Sequence, residues 1–304
     1  MTALPVTVIG GYLGSGKTTL VNHLLRHADG RRLAVLVNEF GELPIDADLI
    51  EAADDDLISI AGGCVCCSYG DDLVAALGRL RDLEPAPDHV LVEASGVALP
   101  HVIAGTVSLV RGLEREAVVV LVDAETVAAR ARDRYVGDTV ARQLGSADLV
   151  LLNKRDLVDE AALGAARETI ASRAPDARVV ELERARLPAE VLLAAPRAAK
   201  EGSPGSVPEA DPGPTVHPRF ASVALRPEGE VDVDALVARL TSDGAGVIRA
   251  KGFLRDRGGA MRAVQVCGSR ASVGPAPAGA ASGLVVIGLR PGFDPTAFAD
   301  LRIA

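Results

Sequence analysis

Through the first 180 or so residues, hydrophobic positions come in short blocks, separated by loops and by stretches with a helical period. Most of the blocks at 6–9, 33–37, 57–60, 89–92, 118–122, 149–152 and 178–182 are apolar throughout rather than alternating. Such runs predict parallel strands buried on both faces. Between two of them, Leu73, Leu77, Leu80 and Leu83 fall on one stripe, with Arg79, Arg81 and Asp82 off it, which predicts a helix over 71–84. A further helix is predicted over 18–27, directly behind a glycine-rich turn. Strands alternating with helices imply an α/β fold with a doubly wound, mainly parallel sheet.

The rhythm stops near residue 196. From 196 to 218 the chain is rich in Pro and Gly and has no hydrophobic period, so it reads as a connection between domains. The expected division is a first domain at 1–195, a linker at 196–216 and a smaller α+β domain at 217–304. In that second domain the pattern predicts strands at 220–225, 247–254, 261–267 and 284–289, and helices at 232–240 and 295–301. The Ala-, Gly- and Pro-rich stretch 269–282 reads as a mobile loop. No internal repeat is evident.

Composition narrows the possible roles. Apolar residues make up 48% of the 304 positions, but aromatics are 3% and Trp is absent, so the core must be aliphatic. A net charge of -9 argues against a nucleic-acid backbone as the main partner, because binding phosphates along a strand needs a basic face. Apolar runs such as 117–122 and 284–289 are far too short to cross a bilayer. With no basic segment or cleavage site ahead of the first strand, the chain reads as soluble and cytoplasmic.

Gly11-x-x-Gly14-Ser15-Gly16-Lys17-Thr18-Thr19 follows a predicted strand and opens a predicted helix, the setting that makes a phosphate-binding loop credible. Glycines let backbone N–H groups curl around phosphate oxygens, and the helix N-terminus adds its positive end. Lys17 is placed to bridge the β- and γ-phosphates, and Thr18 to offer a hydroxyl to Mg²⁺.

Three further segments sit at expected strand ends, where α/β sheets bind ligands. Asn153-Lys154-Arg155-Asp156 reads as a guanine box: the Asp156 carboxylate can accept from N1–H and the exocyclic amine, and the Lys154 stem can pack over the base. A site built on such bonds rejects analogues lacking them. Glu93-Ala94-Ser95-Gly96 stands where a metal-directed carboxylate belongs. Asn38-Glu39-Phe40-Gly41-Glu42 brings acidic residues that can reach Mg²⁺, the attacking water or a second metal. The expected catalytic set is Lys17, Thr18, Glu39 and Glu93.

Three of the four cysteines, Cys64, Cys66 and Cys67, lie within four consecutive positions beside Gly62-Gly63. In a reducing compartment such a cluster reads as a soft-metal clasp, with Zn²⁺ the default and Co²⁺ or Cu(I) possible. With no obvious fourth ligand the site is incomplete, which suits a carrier better than a structural anchor. Cys267 reads as a buried strand residue, and a lone His217 as a surface one.

Taken in chain order, the motifs at 11–19, 38–42, 62–67, 93–96 and 153–156 resemble those of the CobW-like GTPases, metallochaperones related to the nickel-insertion GTPases. Arg249-Ala250-Lys251-Gly252-Phe253 is similar to the signature of that family's C-terminal domain. The resemblance implies a GTPase whose Mg²⁺–GTP form assembles the cysteine site and whose hydrolysis to GDP loosens it, delivering Zn²⁺ or Co²⁺ to a client protein. Carried over by position, the nucleotide residues are Gly14, Gly16, Lys17, Thr18, Glu93, Asn153 and Asp156, and the metal residues Cys64, Cys66 and Cys67. The histidine-rich stretch common in the family is missing. Two other readings remain: a P-loop kinase of a small molecule, and a non-catalytic nucleotide-binding thiol or zinc sensor.

Overall fold

Seven strands build one parallel sheet because their runs of Val, Leu and Ile can be covered only by layers on both faces. They are β1 (Leu4–Gly10), β2 (Leu33–Asn38), β3 (Leu57–Ile60), β4 (His89–Glu93), β5 (Leu113–Asp123), β6 (Leu149–Asn153) and β7 (Arg178–Glu181). The computed structural model describes residues 3–38, 57–60, 70–193, 219–227 and 229–301. It divides into two compact units, Met1–Ala195 and Pro196–Ala304. Glu39, Cys64, Cys66 and Cys67, together with the expected linker at 196–216, lie outside the described residues.

The strand order in the first unit is β3-β2-β4-β1-β5-β6-β7. Helices lie between the strands: α1 (Lys17–Arg26), α2 (Gly70–Arg81), α3 (Pro100–Leu109), α4 (Val127–Arg130), α5 (Gly137–Leu144), α6 (Glu160–Arg173) and α7 (Ala189–Leu192). Every residue of β1 is buried. On α2 the predicted stripe is the buried face, with Leu73, Leu77 and Leu80 fully covered. The register fixes where the strands end. Ile9 lies beside Glu93, Gly10 beside Val120, and Asp123 beside Asn153, so four strand ends open on one edge of the sheet. β5 extends ahead of the 118–122 run, through Glu114, Arg115 and Glu116, which interrupt the apolar pattern. Arg115 is held there by Asp148 at 3.1 Å.

The second unit is a five-stranded antiparallel sheet ordered β11-β10-β9-β12-β8, with all neighbouring strands antiparallel. Its strands are β8 (Phe220–Leu225), β9 (Val247–Arg255), β10 (Met261–Cys267), β11 (Arg270–Pro275) and β12 (Gly283–Leu289). Helix α8 (Val233–Thr241) buries Val233, Leu236 and Leu240, and its cap residue Asp232 accepts from the Ala235 N–H at 2.9 Å.

The reading of 269–282 as a loop is corrected here. Residues 270–275 form β11, joined to β10 through the tight turn Gly268-Ser269, with Gly268 at φ 60° and Cys267 beside Arg270. This edge strand has no fully buried position, so it carries no apolar alternation for a sequence reading to find.

Candidate functional site

Between β1 and α1 the chain turns through residues 11–16. Gly16 sits at φ 103°, and a Cβ there would lie 2.5 Å from the Asn153 side-chain nitrogen, so only glycine fits. The same residue caps α1 and brings no side chain to its first-turn N–H groups, and that turn has no acidic residue. A helix start left without a side-chain cap is a place for an anion. Lys17, only 7% exposed, brings its charge to this turn.

Beside the helix start, the Thr18 hydroxyl donates to Oε1 of Glu93 at 2.8 Å. The two come from different elements, α1 and the end of β4, and parallel pairing of β4 against β1 brings them together. An ionised carboxylate and a hydroxyl are hard oxygen donors of the kind that suits Mg²⁺. The segment after Glu93 is held in place by Gln143 of α5, whose buried side-chain amide donates to the carbonyls of Gly96 (3.1 Å) and Ala98 (2.8 Å). Leu13, in the turn after β1, lies directly over Gly96.

The box after β6 splits into two kinds of residue. Asn153 is buried and bonded to protein on both sides: its amide donates to the Ser15 carbonyl at 3.0 Å, and its oxygen accepts from the Ala185 N–H at 2.8 Å. Lys154, at φ 62°, pairs its ammonium with Asp123 at 2.9 Å, and that carboxylate is 5% exposed. Asp156, in the short 3₁₀ turn Arg155–Leu157, is exposed and has no hydrogen bond or ion pair among the described residues. Of the box, Asp156 is thus the exposed acceptor, while Asn153 and Lys154 are engaged with other segments of the chain.

A loop after β7 completes this wall. Arg184 and Ala185 both take φ 53°, a left-handed conformation unusual for residues with a Cβ. Asn153 holds the loop at Ala185, and His23 of α1 meets the Leu187 carbonyl through Nε2 at 3.0 Å. Burial, with the positive neighbours His27, Arg186 and Arg26, pushes the His23 pKa down, against the opposing pull of that carbonyl.

Asp123, Gln143, Ala185, His23 and Arg130, whose guanidinium donates to the Leu13 carbonyl at 2.8 Å, were not singled out from sequence. Each acts by reaching a distant segment, and no local pattern marks them. Among the described residues no group of three or more His, Cys, Asp and Glu can hold a metal ion, and no helix is long and apolar enough to cross a membrane.

Two family profiles and several known proteins are similar to this chain. The family profile described as "CobW/HypB/UreG, nucleotide-binding domain" matches residues 5–181. The "Cobalamin synthesis protein cobW C-terminal domain" matches residues 220–301. A Sinorhizobium protein named zinc chaperone CobW is 33% identical over 219 residues, 62% of each chain. A Pseudomonas aeruginosa protein of the same name is 36% identical over 222 residues, 62% of this chain and 59% of that one. Escherichia coli zinc chaperone YjiA is 36% identical over 170 residues, 53% of this chain and 52% of that one. The chain thus spans about six tenths of the length of the first two relatives and half of the third. Among solved structures, a Zn(II)-bound triple mutant of the YjiA GTPase aligns over 100% of both chains at 22% identity with a TM-score of 0.43.

Proposed function

Because the chain belongs to the CobW/HypB/UreG family of nucleotide-binding proteins and carries the CobW C-terminal domain, we propose that it is a GTP-hydrolysing metallochaperone for a transition-metal ion. The observation that carries this reading is the meeting of Thr18 and Glu93 at the uncapped start of α1. That arrangement has a purpose where a polyphosphate and a hard cation arrive together.

In this reading the N–H groups of the first turn of α1 and the Lys17 ammonium hold the β- and γ-phosphates. Asp156 accepts from N1–H and the exocyclic amine of guanine. Asn153 keeps the phosphate loop and the loop at 183–187 in fixed relation, and Asp123 keeps Lys154 extended beside the base. Mg²⁺ fits the Thr18–Glu93 pair, and when bound it supplies charge neutralisation to the phosphate oxygens. Water adds to the γ-phosphorus, and the bond to the bridging oxygen breaks to leave GDP and phosphate. Glu39 is assigned to the water or the metal side of the site.

The cargo is Zn²⁺ or Co²⁺, taken as a substrate by the thiolates of Cys64, Cys66 and Cys67 and passed to a client protein. Clustered thiols stay free of disulfides in a reducing compartment, so the assignment implies a cytoplasmic protein. The relatives named zinc chaperones support zinc as the first ion to test.

An anaerobic chelator competition for Zn²⁺ and Co²⁺, run with Mg²⁺ and either GDP or a non-hydrolysable GTP analogue, tests the proposal. Tighter metal binding with the analogue is expected, by the ~5–150-fold range typical of allosteric coupling. Equal affinity in both states would leave a plain GTPase or a thiol sensor. A Cys66→Ser variant with unchanged metal affinity would remove the clasp.

A further inference from the structure

The turn that binds phosphate is gripped from the β5 side by a residue that no motif marks. Arg130 ends the short helix α4, and its Nη1 donates to the Leu13 carbonyl at 2.8 Å. Its guanidinium also lies over the Tyr12 ring, 4.8 Å from the centroid. One side chain thus holds two consecutive residues at the crest of the turn, one by a charge-assisted hydrogen bond and one by a cation–π contact. On the opposite side Leu13 rests against Gly96, whose carbonyl is fixed by Gln143. The crest is therefore held between α4 and the segment that follows Glu93.

Beneath the crest, the space between the turn and α4 is lined mostly by apolar side chains, with two hydroxyls set among them. A cavity of about 10 Å³ is lined by Ser15 and Thr126 among others. The buried hydroxyl oxygens of both residues lack hydrogen-bond partners there. That volume is close to the room a single water needs. The two hydroxyls do not staple the seam directly, which leaves Arg130 as a direct polar tie between α4 and the crest.

We propose that Arg130 is a positioning residue for nucleotide binding: it holds the phosphate loop in its binding-competent shape before the ligand arrives. The loop bends through left-handed positions at Gly14 and Gly16, and its N–H groups converge only while that path is kept. A loop free to leave the path binds in proportion to the fraction of time it spends on it. Because the loop grips phosphates shared by substrate and product, Arg130 acts on GTP and GDP alike and leaves the chemical step untouched. This inference rests on the reading of the loop as a guanine-nucleotide site.

The test is fluorescent GDP and GTP-analogue binding, with steady-state GTP turnover, for the full chain, Arg130→Ala, Arg130→Lys and Lys17→Ala. In Arg130→Ala both nucleotides are expected to bind about tenfold more weakly, with KM raised by a similar factor and kcat close to the parent's. Arg130→Lys recovers much of that loss, because an ammonium can still donate to Leu13 and sit over Tyr12. A purely structural role would instead lower the melting temperature and the active fraction and leave KM unmoved. Parent-like affinity and KM in Arg130→Ala would overturn the proposal. So would a fall in kcat at unchanged affinity, which would place the guanidinium on the reacting phosphate. If the parent chain binds no guanine nucleotide, or Lys17→Ala binds as well as the parent, the nucleotide-site reading itself falls, independently of Arg130.

Discussion

The Asn153 side-chain amide donates to the Ser15 carbonyl at 3.0 Å, linking the end of β6 to the phosphate loop across 138 residues of sequence. Its oxygen accepts from the Ala185 N–H at 2.8 Å, so one buried side chain joins the phosphate loop to the loop after β7. Replacing Asn153 by Ala removes both bonds and leaves buried groups unsatisfied, at a cost of about 2–4 kcal/mol in unfolding free energy measured with denaturant. Because the effect on ligand runs through loop shape, GDP and IDP should weaken by the same factor in competition binding. A selective loss of GDP would show that Asn153 reads the base itself.

Asp156 should control which base is accepted. Changing it to Asn exchanges a pure acceptor for a side chain that also donates, matching the C2 carbonyl of xanthine in place of the guanine amine. GDP affinity is expected to fall by roughly a hundredfold or more while XDP affinity rises. Competition binding with the two diphosphates checks this, and unchanged preference would move base reading elsewhere.

Glu93→Gln keeps the shape of the acceptor facing Thr18 but removes its charge. Turnover should fall by about a hundredfold, with the Mg²⁺ requirement moving to higher concentration and little change in melting temperature. Turnover equal to the parent at low Mg²⁺ would take Glu93 out of the catalytic set.

Gly16→Ala forces a Cβ to 2.5 Å from the Asn153 nitrogen at φ 103°. The backbone strain is of order 1–3 kcal/mol, and the steric conflict breaks the Asn153–Ser15 bond as well. Loss of nucleotide binding in a chain that still folds, seen by circular dichroism and calorimetry, is the expected outcome.

His23 supplies a pH dependence. Its pKa in the folded chain lies below the 6.5 of the free side chain, so the unfolded chain binds the proton more readily. The stabilisation is complete above about 6.5 and is lost as pH falls through the lowered folded value. In melting curves from pH 8 to 5, His23→Gln should lack this acid-side loss, since Gln can donate to Leu187 without titrating. Parallel curves for parent and variant would assign the slope to other groups. Burial is the main cause of the shift, and His27, Arg186 and Arg26 are the charged or titratable neighbours that add to it.

Much of this was legible from the chain alone. The strand predicted at 57–60 matches β3 residue for residue, and the run at 149–152 differs from β6 by one residue, because an uninterrupted aliphatic run beside a turn has few other uses. β11 was missed because an edge strand of half-buried residues has no apolar period. Within the guanine box, no local pattern told that Asn153 and Lys154 would be bonded to Ser15, Ala185 and Asp123, since those partners lie in distant segments.

By itself the sequence determined the alternation of strands and helices and the phosphate-loop motif, because period, glycine spacing and helix-start chemistry act over a few neighbouring residues. Only the tertiary structure decided which side chains are tied to distant segments and which stay exposed at the strand ends. Thr18 meets Glu93, Arg130 meets Leu13, and Gln143 meets Gly96 because parallel strands in register carry their ends to one edge. Such partners are separated by 47 to 117 residues, and their pairing depends on sheet order, which no local pattern of apolar and polar positions encodes.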